Sequence, residues 1–276
     1  MSHAKYYPVI GPDDFKKIKQ NRHYLLVDKS SFVGEVLKTG VEVLIIPRPR
    51  RFGKSINLSM LKYFLDLEEK QENAKLFADM EVAKDKEAML NQGKYPVIFL
   101  SLKGIKESSY DAAIKTLREI IRELYLKYEF LLDSEKVSPY QKSDIEGFLE
   151  KTNDTASLKR GLIRLSECLH RHYGIKPWIL IDEYDTPIQS AYEENYYDEM
   201  IKFMRVFLGE ALKTNTSLER AVITGVLRVA KESLFSGLNN LEIYSMFDEK
   251  YAEHFGFTEA EVSQLFKKSG LAYKER

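Results

Sequence analysis

The sequence predicts an α/β domain built on a mainly parallel sheet. Apolar, β-branched runs alternate along the chain with amphipathic helical patterns, the order that strand-helix-strand crossovers require. The first strong run leads through a polar loop straight into a helical pattern, and a later run ends in two acids. No internal repeat and no low-complexity tract interrupts this alternation.

Length and composition bound the answer. At 276 residues the chain is long enough to bury a core as one large domain or two small ones. Its 44% hydrophobic and 30% charged residues, with 14 glycines and 8 prolines, are those of an ordinary globular protein. Forty-two basic residues balance 42 acidic ones. Net charge therefore argues against direct nucleic-acid binding and against an anionic membrane as partner, although a local patch stays open. The single cysteine, Cys168, excludes an intramolecular disulfide and a cysteine-rich zinc site, which fits a reducing cytosol. No apolar run approaches a membrane span and the N-terminus has no signal-peptide core, so a soluble, cytoplasmic protein is expected.

Taken in order, Pro12-Asp13-Asp14 opens a helical pattern, and Tyr24 to Asp28 is a brief strand-like run. Ser31 to Lys38 is a second amphipathic pattern, stopped at Thr39-Gly40. Val43-Leu44-Ile45-Ile46 reads as a buried strand. After the loop that follows it, Leu58, Leu61, Phe64 and Leu65 recur at helical spacing and define one apolar face. Residues 68 to 94 are charged and weakly periodic, a surface helix and loop. Tyr95 to Leu102 is the second strong strand. Ser108 with Asp111 then resembles a capping box ahead of a long helix marked by Ile114, Leu117, Ile120, Ile121, Leu124 and Tyr128. Asp133 to Lys142, polar and holding Pro139, reads as a loop, and Thr155 to Tyr173 as one helix stopped by Gly174. Pro177 to Glu183 is a strand, Glu193 to Thr214 a helix, Arg220 to Gly225 a fourth strand and Leu241 to Met246 a fifth. Thr258 and Glu261 form a second capping-box pattern before a short helix that stops near Gly270. That helix looks like the start of a further element. The expected organisation is an N-terminal segment at 1–40, a core at 41–256, and the beginning of a C-terminal helical element at 257–276.

The chemistry gathers at the ends of the strands. After Val43–Ile46 comes Arg48-Pro49-Arg50-Arg51-Phe52-Gly53-Lys54-Ser55, the Walker A pattern G-x-x-x-x-G-K-[ST] with Arg48 in place of its first glycine. Backbone N–H groups at a helix start point outward, unpaired, and carry the positive end of the helix dipole, which suits a phosphate. Lys54 then reaches the β- and γ-phosphate oxygens and the Ser55 hydroxyl holds Mg²⁺. Without its first glycine the loop must turn by other means, such as the fixed φ of Pro47 and Pro49. Arg48, Arg50 and Arg51 have two readings: guanidiniums that grip phosphate oxygens, or an exposed basic loop paired with nearby acids.

Ile179-Leu180-Ile181-Asp182-Glu183 is a Walker B pattern on its own strand. Asp182 is the candidate second Mg²⁺ ligand, directly or through water, and Glu183 the candidate general base for the attacking water. At the end of the fourth strand, Thr224 is the candidate γ-phosphate sensor and Arg228 a candidate transition-state arginine, in cis or supplied by a second copy. The bland readings are a strand-end hydroxyl and a surface arginine. His170 and His172 lie near a helix end with no cysteine or carboxylate at ligand spacing, which argues against a metal there. Trp178 and Cys168 read as core.

These strings, joined by Tyr24-Leu25-Leu26-Val27-Asp28-Lys29, Ala230 to Asn240 and Phe255-Gly256-Phe257-Thr258, resemble the bacterial AAA-ATPase-like family over nearly the whole chain. The resemblance implies a P-loop fold of the additional-strand (AAA/STAND-like) type, with strand order 5-1-4-3-2, binding ATP and Mg²⁺. Members usually carry the same replacement of the first Walker glycine. The residues expected to contact the nucleotide are Arg50, Arg51, Phe52, Gly53, Lys54, Ser55 and Ile56, with Val27 and Asp28 added from the N-terminal segment. Many members continue into a PD-(D/E)XK nuclease-like domain, which implies an effector C-terminal to this region.

Overall fold

The computed structural model describes residues 7–8, 11–226, 234–235 and 240–269. The apolar runs form one five-stranded sheet of β3 (Val43–Pro47), β4 (Val97–Ser101), β5 (Trp178–Asp182), β6 (Arg220–Gly225) and β7 (Leu241–Ile243). Two shorter strands, β1 (Tyr7–Pro8) and β2 (Tyr24–Leu25), pair with each other in a separate sheet. Every pairing in the large sheet is parallel, in the order β4-β5-β6-β3-β7. These chain-wide numbers differ from the expected 5-1-4-3-2 because β1 and β2 come first in the chain. Numbered among themselves from β3, the five strands read 5-1-4-3-2 from the β7 edge. β3 and β5 are buried at every position, as continuous apolar runs require in a parallel sheet.

The first helices are α1 (Phe15–Gln20), α2 (Ser31–Lys38), α3 (Lys54–Leu65), α4 (Lys70–Ala74) and α5 (Lys86–Met89). Then come α6 (Tyr110–Lys127), α7 (Pro139–Leu149), α8 (Thr155–Lys159), α9 (Gly161–Tyr173), α10 (Thr186–Glu193), α11 (Tyr197–Leu212) and α12 (Glu259–Ser269). None of the described helices is long and apolar enough to cross a membrane.

Contacts group the chain into two compact units. One takes in residues 41–47 and 95–245, and so holds the large sheet and α6 to α11. Its core joins Val43 and Ile45 of β3 to Ile98, Ile179, Ile181 and Ile223, and to Leu117, Ile121, Leu165 and Phe207 from the helices. The apolar stripe of α6 is buried at Ala113, Ile114, Leu117, Ile121, Leu124 and Tyr125, each large member adding about 1.5–3 kcal/mol. The other unit takes in residues 1–40, 48–94 and 246–276. There α1 lies on α3: the Phe15 N–H donates to Ser59 Oγ (2.9 Å), and Tyr63 Oη donates to Asp14 Oδ2 (2.8 Å).

Several local expectations need correction. The loop predicted at 133–142 instead contains the start of α7, because Pro139 occupies the first helical turn and Ser138 with Gln141 closes a capping box. The helix predicted over Thr155–Tyr173 breaks at Arg160 into α8 and α9. The cap of α6 is Ser109, one residue after the expected Ser108, accepting from the Ala112 N–H. Helix α10, directly after the acids of β5, has no counterpart in the sequence reading. The expected capping box of α12 is present, with the Thr258 N–H on Glu261 Oε2 (2.8 Å) and the Glu261 N–H on Thr258 Oγ1 (3.3 Å).

Candidate functional site

The carboxyl edge of the sheet collects the sequence-predicted acids. In a parallel sheet every strand points the same way, so residues that end their strands emerge side by side. Here Pro47, the last residue of β3, is in register with Gly225, and Ile46 with Thr224. On the other side of β6, Ile181 is in register with Ile223, so Asp182 follows beside Thr224. The residue from which the Arg48–Gly53 loop departs thus stands two strands, or about 10 Å, from Asp182.

Asp182 and Thr224 are both buried, at 2% and 1% exposure. Thr224 Oγ1 donates to Asp182 Oδ1 over 2.6 Å, and the Tyr184 N–H donates to the Thr224 carbonyl (3.2 Å). A further tie comes from Asp185, whose Oδ2 accepts from the Val226 N–H (2.9 Å). The turn after β5 is therefore bolted to the end of β6. Glu183 sits in that turn with φ +53°, a left-handed conformation that costs a non-glycine residue about 1–2 kcal/mol. Its Oε2 accepts from the Thr186 hydroxyl (3.2 Å), and the Thr186 N–H donates to its carbonyl (3.1 Å). Gly225 is required for space: a Cβ there would lie 2.5 Å from Asp185 Oδ1 and 2.7 Å from the Tyr184 ring. Sequence reasoning proposed Asp182, Glu183 and Thr224; it missed Asp185 and Gly225 as the groups that fasten them. Arg228 lies outside the described residues.

The unit that holds residues 48–94 carries the other candidates. Helix α3 starts at Lys54, directly after Gly53, whose φ is +78°. Arg51 is also left-handed, at φ +68°. Two left-handed residues thus flank Phe52 in the loop that leads into α3. Lys54 is 5% exposed and its ammonium donates to the Pro49 carbonyl over 2.9 Å, so the loop closes around it. Ser55 and Ile56 are half-buried in the first turn, while Arg50, Arg51 and Phe52 are exposed.

The three arginines separate. Arg48 is 2% exposed, with its guanidinium 5.0 Å from the centroid of the Phe255 ring. Burial lowers its pKa from the ordinary arginine value, and the Asp248 carboxylate opposes that effect. Of the two readings of these arginines, an exposed basic loop fails for Arg48. Asn57 Nδ2 donates to the His254 carbonyl (2.7 Å), and the Gly256 N–H to the Phe52 carbonyl (3.1 Å). The Phe255-Gly256 string in the sequence was the signal for this region, but nothing in it pointed to Arg48. Val27 is half-buried. Asp28 is exposed, and its two oxygens accept from the Ser30 and Glu81 N–H groups (both 2.8 Å), which ties the N-terminal segment down.

Among the described residues no group of three or more His, Cys, Asp and Glu side chains gathers as a metal cluster. Mg²⁺ does not need one, since it keeps waters and takes one or two protein oxygens beside substrate phosphates. In the unit that holds the sheet, the Asp182 carboxylate is a hard oxygen donor at a strand end, with the Thr224 hydroxyl ordering it.

A family model described as "Predicted AAA-ATPase" matches residues 9–235. The chain is also 29% identical over 260 residues to an uncharacterized protein in the vnfD 5′ region of Azotobacter chroococcum mcd 1. That similarity takes in 93% of this chain and 44% of the relative, so the chain spans less than half of that protein's length. No solved structure matches the chain significantly.

Proposed function

The chain belongs to the predicted AAA-ATPase family, and on that premise we propose that it is a P-loop domain of the additional-strand type that binds ATP and hydrolyses it to ADP and phosphate. The observation that most supports this is the loop from Pro49 to Gly53 closed around the buried Lys54 ammonium at the first residue of α3. An ammonium held there, at the positive end of a helix, favours the charge of a triphosphate.

Lys54 and the backbone of Arg51 to Ile56 bind the phosphates, with Arg50 and Arg51 adding exposed positive charge. Ser55 and Asp182 are the oxygen donors assigned to Mg²⁺, which when bound neutralises charge on the β- and γ-phosphates. Thr224 orients Asp182 and senses the γ-phosphate. Glu183 accepts the proton of the attacking water. The reading includes a nucleotide-dependent influence on an effector C-terminal to this region, and self-association through Arg228.

A second reading, a nucleotide-gated module with little turnover, is favoured by the bond that engages Glu183 Oε2 with Thr186. Phosphate release separates the two. With Mg-ATP the wild type turns over below about 10 per second, and Glu183→Gln cuts that rate by at least ~100-fold while keeping ATP affinity. Equal rates in the two proteins move the base elsewhere.

A further inference from the structure

A phosphate loop of the full pattern turns at a glycine where this chain has Arg48. If Arg48 only replaced that glycine, its long side chain would be expected to reach solvent or phosphate. Instead it is buried over the ring of Phe255, itself 5% exposed. A guanidinium on an aromatic face gains more as it is desolvated. Phe255 is seated edge-on against Phe32 of α2 (5.4 Å, 79°), and Phe32 also meets Tyr251 (5.9 Å). Two hydrogen bonds run alongside: Gly256 N–H to the Phe52 carbonyl and Asn57 Nδ2 to the His254 carbonyl. Gly256, at φ +73°, fits closely, since a Cβ would stand 3.1 Å from the Phe52 ring. The stretch from Tyr251 to Gly256 therefore meets the loop at its first residue, near its end at Phe52, and in the first turn of α3. Lys29 donates to the Glu253 carbonyl and pairs with Glu261 of α12, which extends the connection to that helix.

Resting on the ATP-binding reading of this loop, we propose that Arg48 is a positioning residue that fastens the phosphate loop to the segment Tyr251–Gly256 through Phe255, so that nucleotide binding and the order of that segment are coupled. Arg48 does not touch the nucleotide; it sets the loop that does. Coupling of this kind is reciprocal. Nucleotide must slow amide exchange at His254 to Gly256, and loosening that segment must weaken nucleotide binding.

The test is Mg-ATP calorimetry and phosphate release on the full chain for wild type, R48G, R48K, F255L and R48G/F255L, with amide exchange read at residues 254–256. R48G restores the glycine of the full pattern, so a mere replacement predicts equal or tighter binding. The proposal predicts about tenfold weaker binding for R48G with kcat at saturating nucleotide held within about twofold. R48K is intermediate, because an ammonium keeps the charge and loses the planar stack. F255L weakens binding as R48G does, and the double variant is no weaker than the worse single one, the non-additivity of two ends of one contact. Mg-ATP protects residues 254–256 in wild type and not in R48G. Unchanged affinity in R48G overturns the proposal; should R48G melt below the assay temperature, unchanged affinity in F255L does so. Wild type that fails to bind Mg-ATP removes the ATP-binding reading and this coupling together, and is told apart from the other outcomes by that control.

Discussion

The Thr224 hydroxyl donates to the Asp182 carboxylate over 2.6 Å between neighbouring strands, and both side chains are sealed from solvent. A buried carboxylate that loses a hydrogen-bond donor bears part of its desolvation cost unrelieved. Thr224→Val, which keeps the shape and removes the donor, should therefore destabilise the protein by about 1–3 kcal/mol in urea unfolding. Thr224→Ser should recover most of that. A Thr224→Val midpoint equal to wild type would mean that this hydrogen bond does not hold Asp182.

Two glycines separate crowding from conformation. At Gly225 a Cβ would collide with Asp185 and Tyr184, both buried, so Gly225→Ala should cost about 1–3 kcal/mol by overpacking. Gly209 lies inside α11, and a Cβ there meets nothing within 4 Å. Gly209→Ala should stabilise by about 0.5–1 kcal/mol through helix propensity. Denaturant melts of the two variants should move in opposite directions, and Gly225→Ala at wild-type stability would show that the Asp185 turn yields readily.

Acid should loosen the segment around α12 in two stages. Burial lowers the His254 pKa from 6.5; Glu35, Glu253 and Glu261 pull it up and Lys29 pushes it further down. The unfolded chain then binds the proton first, so the contribution of neutral His254 is complete above about pH 6.5 and is lost as pH falls through the lower folded value. Glu261 comes next. Burial raises its pKa, but the hydrogen bonds from Lys29 and Thr258 outweigh burial and hold it below 4.5. Its contribution is present above about pH 4.5 and disappears as pH falls through the folded value. Amide exchange of α12 should accelerate in that order; Lys29→Ala should shrink the lower step, leaving the part held by Thr258, and should move the onset of the upper step toward higher pH.

Much of this was legible in the sequence where the signal is local. Val43–Ile46 and Trp178–Ile181 are continuous apolar runs, and each lies in a fully buried parallel strand. The Thr258 and Glu261 spacing gave the α12 cap outright. Helix α7 is hard to see in the sequence because Pro139 marks a loop as readily as a first helical turn, where its missing N–H costs nothing. Helix α10 follows its strand too closely to show a full apolar period. Pairing at the carboxyl edge, which puts Thr224 on Asp182, was implied by the resemblance to a known family rather than by any pattern of residues. Arg48 over Phe255 was beyond reach, because no local pattern announces a contact between residues at opposite ends of a chain.

The central claim is that the loop closed on Lys54 binds the phosphates of ATP, and titration calorimetry of Mg-ATP into wild type and Lys54→Ala tests it most directly. No other side chain in the first turn of α3 carries an ammonium, so the variant should give no measurable binding heat while wild type binds. Melting curves on the same samples establish that the variant is folded. Unchanged ATP affinity in folded Lys54→Ala would contradict the phosphate-loop assignment.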